Sequence, residues 1–361
     1  MTSPRSLAGL CFALTASLAA GGVSAGESKV FRDWVAGCDN LRKCTTLSLP
    51  GEAADTISYV RVERSGGPGD AAKLSLQIRD IKLKKSFEAR LTIDGAAFPS
   101  SARTFGGTSV DGEVGEIDLP QQDGEALIAA ARKGTKLEIA FDDKAFSLSL
   151  AGAVAALLWV DEQQGRLGTV TALIRKGDKP AASLPAAPSL PVVTSQATAG
   201  LPKLSEKEAK ALPRTLRAHL KRAAPDSCDD AEEGSESYDG VWTMGPRSHL
   251  VGLVCYRGAY NVGTGYWLVE QGKVASSRRI AFPTPSGKPQ DDLVNSCYDP
   301  ASGLMDFFSK GRGPADCGSS GIYAWSGRGF VLASWNEMSV CRGLPPDEWL
   351  NLFRSEHKAV K

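Results

Sequence analysis

The stretch FRDWVAGCDNLRKCTTLSL, Phe31 to Leu49, holds Cys38 and Cys44 with five residues between them, Asp39, Arg42 and Lys43 included. Apolar residues flank the pair, so a strand is expected around residues 30 to 37 and another around 45 to 49, and a bond between the sulfurs would close their turn. The spacing is not that of a C-x-x-C redox motif. The three histidines, His219, His249 and His357, are all distant in sequence and complete no zinc ligand set. A structural staple is therefore expected, and for so short a loop the chain-entropy account gives it about 2 to 2.5 kcal/mol.

A staple of this kind belongs in an oxidising compartment. The amino end reads as the route there: Arg5, then the apolar run LAGLCFALTASLAA, then Val23, Ser24 and Ala25 as a small-residue cleavage signal. Residues 1–25 are expected to be a cleaved signal peptide, with periplasmic or secreted localisation and no transmembrane anchor afterwards. Cys11 lies inside the apolar run, away from the position a lipidated cysteine needs. Loss of Arg5 turns 42 Lys and Arg against 41 Asp and Glu into an even balance. That balance gives no reason to expect nucleic-acid binding, which depends on accumulated positive charge. No later run approaches the roughly 18 apolar residues of a membrane span.

Seven cysteines remain: Cys38, Cys44, Cys228, Cys255, Cys297, Cys317 and Cys341. The preferred pairings are Cys38 with Cys44, Cys228 with Cys255 and Cys317 with Cys341, leaving Cys297 odd. The chain divides at KGDKPAASLPAAPSLPVVTSQATAGLPK, where Pro180, Pro185, Pro188, Pro191 and Pro202 lie among Ala, Ser and Thr. Residues 177–203 read as a semi-extended linker, or as a strap over a domain surface. A first β-rich domain, 27–176, and a helical lead-in with a second β-rich domain, 204–361, are expected on either side. The fold class is mainly β with short helices (α+β), two disulfide-stapled β-rich domains, the first sandwich-like.

In the first half, TISYVRVER, AKLSLQIRD, FEARLTIDG and TKLEIAFD alternate as strands with one face buried and one wet. One helix is expected in LPQQDGEALIAAARKG, capped by Asp123, and another in LAGAVAALLWVDEQQ, capped by Ser149. After the linker, LSEKEAKALPRTLRAHLKRAA has capping-box spacing at Ser205 and Glu208, and Pro213 predicts a kink or two short helices. The acidic stretch with Asp226, Asp229, Asp230, Glu232, Glu233, Glu236 and Asp239 lacks calcium-loop spacing and reads as a solvated loop. HLVGLVCYR, TGYWLVEQG, VASSRRIAF, GIYAWSG and GFVLASWNE read as strands, with SGRG as a hairpin turn. LPPDEWLNLF reads as a short terminal helix burying Trp349 and Phe353.

FRDWVAGCDNLRKC, WVDEQQGRLGTVTALIRKG, CYRGAYN, KGRGPADCG and VCRG together resemble a family of uncharacterised exported proteins of Gram-negative bacteria, domain of unknown function 1176. The first half is also distantly similar to the invasion-associated locus B family, through Trp34, Cys38, Cys44, the stretch from Ala126 to Ile139 and that from Leu150 to Leu158. The resemblance implies a compartment and a fold, and carries over no catalytic residues.

The chain has no G-x-S-x-G elbow, H-E-x-x-H helix, P-loop or dinucleotide fingerprint. No catalytic, cofactor or metal residues are therefore assigned, and no cofactor is expected. His249, at the edge of an apolar strand, is the histidine to watch. Asp161, Glu162, Gln163, Gln164 and Arg166 form either a polar recognition edge or, as preferred, groups that satisfy carbonyls at a helix end. Arg257, Tyr260, Asn261, Tyr266, Trp267, Trp325, Arg328 and Trp335 are the candidate ligand or partner surface, because they mix aromatic platforms with directional polar groups. Strand aromatics also build cores. The expectation is a non-enzymatic protein binding a protein or cell-envelope component, with a periplasmic hydrolase acting on wall or envelope material as the alternative.

Overall fold

The computed structural model describes residues 26–51, 57–79, 82–99, 101–228 and 235–360. The expected leader, and Asp229, Asp230, Glu232 and Glu233 of the acidic stretch, lie outside the described residues.

The first half builds β1 (Glu27–Phe31), β2 (Trp34–Cys38), β3 (Cys44–Ser48), β4 (Ile57–Arg64), β5 (Lys73–Arg79), β6 (Ser86–Ile93), β7 (Ala96–Phe98), β8 (Phe105–Ser109) and β9 (Val114–Leu119). Helix α1 (Gln121–Ala130), strands β10 (Lys136–Phe141) and β11 (Lys144–Ser149) and helix α2 (Ala153–Gln163) follow. The strands form one antiparallel sheet in the order β1-β2-β3-β4-β5-β9-β8-β6-β10-β11, with β7 also on β6. Strand β6 is where the sheet turns over: Ser86 to Ala89 pair with β8, while Arg90 to Ile93 pair with β10. The sheet curls around a core to which both ends contribute, Trp34, Val60 and Leu76 from one and Leu137, Ile139 and Leu148 from the other, with α1 and α2 supplying Leu127, Ile128, Leu157 and Trp159.

Neither helix is capped by the side chain expected. Pro120 stands at the amino end of α1, where its missing N–H costs nothing, and Asp123 is ion-paired with Arg103 instead. Gly152 stands before α2 in the left-handed region, its α-carbon pressed against the Phe31 carbonyl so closely that a Cβ has no room. Ser149 donates to Asp33 at 2.7 Å.

In the second half, β12 (Val192–Gln196) lies within the Pro-rich stretch and α3 (Glu206–Ala223) follows it. Then come β13 (Gly240–Gly245), β14 (Ser248–Arg257), β15 (Val262–Glu270), β16 (Arg278–Arg279), β17 (Asp292–Val294), β18 (Cys297–Asp299), β19 (Leu304–Lys310), β20 (Gly318–Trp325), β21 (Phe330–Met338), β22 (Leu350–Arg354) and β23 (Glu356–Val360). They form a β13-β14-β15-β16 sheet with β17 on β15, a β18-β19-β20-β21-β22 sheet, and a parallel β12-β23 pair. Helix α3 opens on the reciprocal Ser205–Glu208 capping box and runs unbroken through Pro213. It covers Val251, Leu253, Cys255, Trp267 and Val269 with Leu216 and Leu220. The Trp325–Phe330 pair closes the SGRG hairpin. The terminal helix expected after Pro345 is replaced by a single 3-10 turn, Pro346–Glu348, that leads into β22. Edge pairing to β21 holds this segment extended, and Trp349 is still buried.

Three disulfides close, Cys38–Cys44, Cys228–Cys255 and Cys317–Cys341, and Cys297 is free and exposed. Bonds of this kind persist in oxidising compartments. No helix among the described residues is long and apolar enough to cross a membrane.

The wet outer face expected of TISYVRVER and AKLSLQIRD is covered in β4 and β5, and the neighbouring β2 and β3 are likewise buried on both sides. Period-two alternation sends Trp34, Ala36, Cys44, Val60 and Val62 into the first core, while Val35, Leu47, Leu49 and Tyr59 enter a second cluster with Leu350, Leu352, Tyr323 and Trp335. Polar contacts reinforce this seam. Asn40 Nδ2 donates to the Arg354 carbonyl and its Oδ1 accepts from Arg354 N, Arg354 pairs with Asp39, and Arg342 donates to the Pro50 carbonyl. Arg61 meets Glu348 at 2.5 Å, although burial holds that carboxyl above its usual range. Gly37 is needed where β2 meets β22, since a Cβ there would lie 3.0 Å from side-chain atoms of both Leu350 and Leu352. Gly37→Val should therefore lower the unfolding free energy in urea by about 1 to 3 kcal/mol, the usual cost of overpacking.

Candidate binding cleft

The segment around Arg166 is where sequence and site meet. Strand β4 ends on Arg64, whose place in the alternation turns its side chain inward with Val60 and Val62. There its Nη2 meets Asp161 Oδ1 of α2 at 2.7 Å, and both side chains are almost fully buried. Asp161 also accepts from the backbone N–H groups of Leu173 and Ile174, each at 2.9 Å. Arg64 Nε donates to Gln164 and its Nη1 to the Thr171 carbonyl. Gln164 Nε2 donates to the carbonyls of Arg42, Arg64 and Ser65. Arg166, with no accessible surface, spends its donors on Gln164, Thr171 and the carbonyls of Gly67 and Pro68. Burial, and then the neighbouring Arg64, push the Arg166 guanidinium down to about 10. It stays charged at neutral pH.

These polar groups do satisfy carbonyls, but those of residues 42 and 64–68 rather than those of the helix end. The reason is reach. Gly165 and Gly168, both at positive φ, turn the chain so that Gln164 and Arg166 face the end of β4 and the loop after it. Glu162 is exposed.

The network fixes residues 170–176 as one wall of a cleft of about 680 Å³. Helix α1 and the turn after it are the other wall, and residues 69–72 close one end. Ala72, Leu74, Ile128, Ala129, Leu173 and Ile174 make the floor apolar. Asp70, Gln121 and Glu125 line it as acidic and amide groups; Arg132, Arg175 and Lys176 line it as cations. Arg132 Nη1 donates to the Ile174 carbonyl at 3.1 Å, tying one wall to the other. The sequence singled out the support of this site, Asp161 to Arg166, and missed its lining. The lining comes from Arg64 and three further stretches that nothing in the sequence marks as neighbours.

The candidate aromatic surface is not assembled. Tyr266, Trp325 and Trp335 belong to the second core and Trp267 lies beneath α3, all at most 5% exposed. Each alternates inward on its strand. Arg257 and Tyr260 are exposed, with Arg257 stacked over Tyr238. Asn261 ties its loop to the Lys310 carbonyl, and Arg328 sits in the exposed hairpin turn. In KGRGPADCG, Asp316 is held by Arg312 and by Gly343 N, so the turn is internally satisfied; Arg312 keeps that carboxyl below its usual range. Asp316, Cys317 and Cys341 lie close enough for a metal, but both sulfurs are in a disulfide. Asp239 is clamped by Arg217 and Val254 N.

His249 lines a separate groove of about 540 Å³ between α3, the β13–β14 turn and the turn that follows β15. Its Nδ1 is enclosed with no hydrogen-bond partner among the described residues, and burial lowers its pKa despite Glu270 and Glu208. His357 Nε2 lies 2.8 Å from Ser195 Oγ, but that hydroxyl donates to the Ser302 carbonyl and is fully buried. A hydroxyl so committed is not arranged for nucleophilic attack.

Asp161→Ala would leave the Arg64 guanidinium buried without its carboxylate, and should cost about 3 to 5 kcal/mol in urea unfolding. For His249 the unfolded chain takes up its proton near 6.5 and the folded chain only at lower pH. Below 6.5 the unfolded state therefore binds more protons, and stability falls as pH drops. Thermal unfolding of His249→Gln should show a shallower fall over that window than the parent chain.

Comparison with known proteins agrees with an architecture that runs the length of the chain. A relative in Escherichia coli (strain K12), called Uncharacterized protein YpfG, is 27% identical over 346 residues, covering 91% of this chain and 93% of the relative. No solved structure matches. The profile of the family described as "Protein of unknown function (DUF1176)" matches residues 28–356, from β1 to the start of β23, and the chain belongs to that family.

Proposed function

We propose that the chain is a non-enzymatic binding protein of the cell envelope, periplasmic or secreted, that holds a protein or cell-envelope component in the cleft between α1 and residues 170–176. The observation that carries this reading is the pairing of an apolar floor and charged rims with a wall anchored by buried ionic hydrogen bonds. A recognition surface held rigid before its ligand arrives loses little freedom on binding. The three disulfides support an oxidising compartment. The runner-up, a hydrolase of wall or envelope material, rests on His249 and the groove it lines with Glu208.

Ala129 is exposed on α1 and lines the cleft, so Ala129→Trp fills the cleft without entering the core. Fractions of an envelope digest retained by the immobilised protein, disulfides intact, should rebind in calorimetry and bind Ala129→Trp at least about tenfold more weakly. Equal binding by that variant, or turnover of the digest that His249→Gln abolishes, would replace this reading with the other.

A further inference from the structure

The charges of the cleft are sorted by end. Strand β5 pairs with β9 so that Leu74 faces Leu119, which carries Asp70, Ala71 and Ala72 alongside the amino-terminal turn of α1. Gln121 and Glu125 are on that turn and the next, hydrogen-bonded to each other at 3.1 Å. At the other end Arg132 follows the last turn of α1, and its bond to the Ile174 carbonyl brings it beside Arg175 and Lys176. Gln121, Glu125, Ile128 with Ala129, and Arg132 follow one another at helical spacing along the wall that faces the cleft. The order is acidic, apolar, basic.

The length of this stripe limits the ligand. From Gln121 to Arg132 the backbone climbs about 16 Å at 1.5 Å per residue. An extended peptide advances at most about 3.3 to 3.6 Å per residue, so about four or five residues span it. Arg132, Arg175 and Lys176 form no ion pair among the described residues. Cations on the rim of an apolar cleft suit a carboxylate, which a guanidinium binds through two parallel hydrogen bonds. A fatty acid would satisfy the cationic end and the floor. It offers nothing to Asp70 and Glu125, whereas a peptide's free ammonium does.

We infer that the cleft binds short peptides of about four or five residues end to end, the terminal carboxylate at Arg132, Arg175 and Lys176 and the terminal ammonium at Asp70 and Glu125. This rests on the binding reading given above and narrows it to one ligand class.

Calorimetry of the full chain with the tetrapeptide Ala-Leu-Ala-Leu tests it. Amidation of the carboxyl end should weaken binding about tenfold or more, acetylation of the amino end a few-fold, and extension to ten residues at either end about tenfold. The double variant Arg175→Gln with Lys176→Gln, both exposed, should weaken the free peptide and leave the amidated one unchanged; an unaltered urea midpoint confirms that the variant is folded. Equal affinity for free and amidated peptide, or laurate binding as tightly as the peptide, overturns the inference while the cleft remains a binding site. If the tetrapeptide fails to bind while envelope fractions still distinguish Ala129→Trp from the parent chain, the ligand class is wrong and the site stands. If Ala129→Trp changes nothing in either assay, both fall.

Discussion

Strand β2 is buried on both faces, and most of the architecture follows from that constraint. Trp34, Ala36 and Cys38 complete the core of the curled sheet, while Val35 and the bare α-carbon of Gly37 meet β22 more than 300 residues later in the chain. Strands β3 and β4 repeat the division, Val60 and Val62 on one side and Leu47 and Tyr59 on the other. A sheet in this position cannot lose either cover without exposing a row of apolar side chains to water, each worth about 1.5 to 3 kcal/mol when fully buried. The disulfide between Cys38 and Cys44 fixes the hairpin that carries two of these strands, and Asp39 and Asn40 in its turn reach across to Arg354.

The same division positions the cleft. On the face of β4 that bears Val60 and Val62 the next residue is Arg64, so the alternation that builds the core also drives a guanidinium into it. A buried cation must be neutralised and its donors satisfied. Asp161 supplies the charge; Gln164 and the Thr171 carbonyl take the remaining donors. Asp161 in turn has oxygens to satisfy, and the N–H groups of Leu173 and Ile174 satisfy them. The wall of the cleft is thus held in place by the requirements of the core.

Much of the fold was legible in the sequence, since strands such as AKLSLQIRD and TKLEIAFD show their alternation directly, and the Ser205–Glu208 cap and the SGRG turn are short-range devices. Elements decided by distant partners were not. The LPPDEWLNLF segment has helical composition, yet it becomes a strand because β21 offers it a free edge. Asp123 and Ser149 have good capping chemistry, but Arg103 and Asp33 reach them first. The aromatic surface was misread because Tyr266, Trp325 and Trp335 look alike in sequence whether they face solvent or a second sheet. The cleft's cations gave little signal because Arg132 is more than 40 residues from Arg175.

By itself the sequence determined the period of each strand, the cap and turn chemistry and the class of fold, because these depend on residues within a few positions of one another. Only the tertiary structure decided what covers the second face of β2 to β4, where Arg64 and Arg166 find their partners, and which charges share a cleft. Burial is a property of neighbours in space, and alternation along a strand states only that two faces differ, never what each will meet.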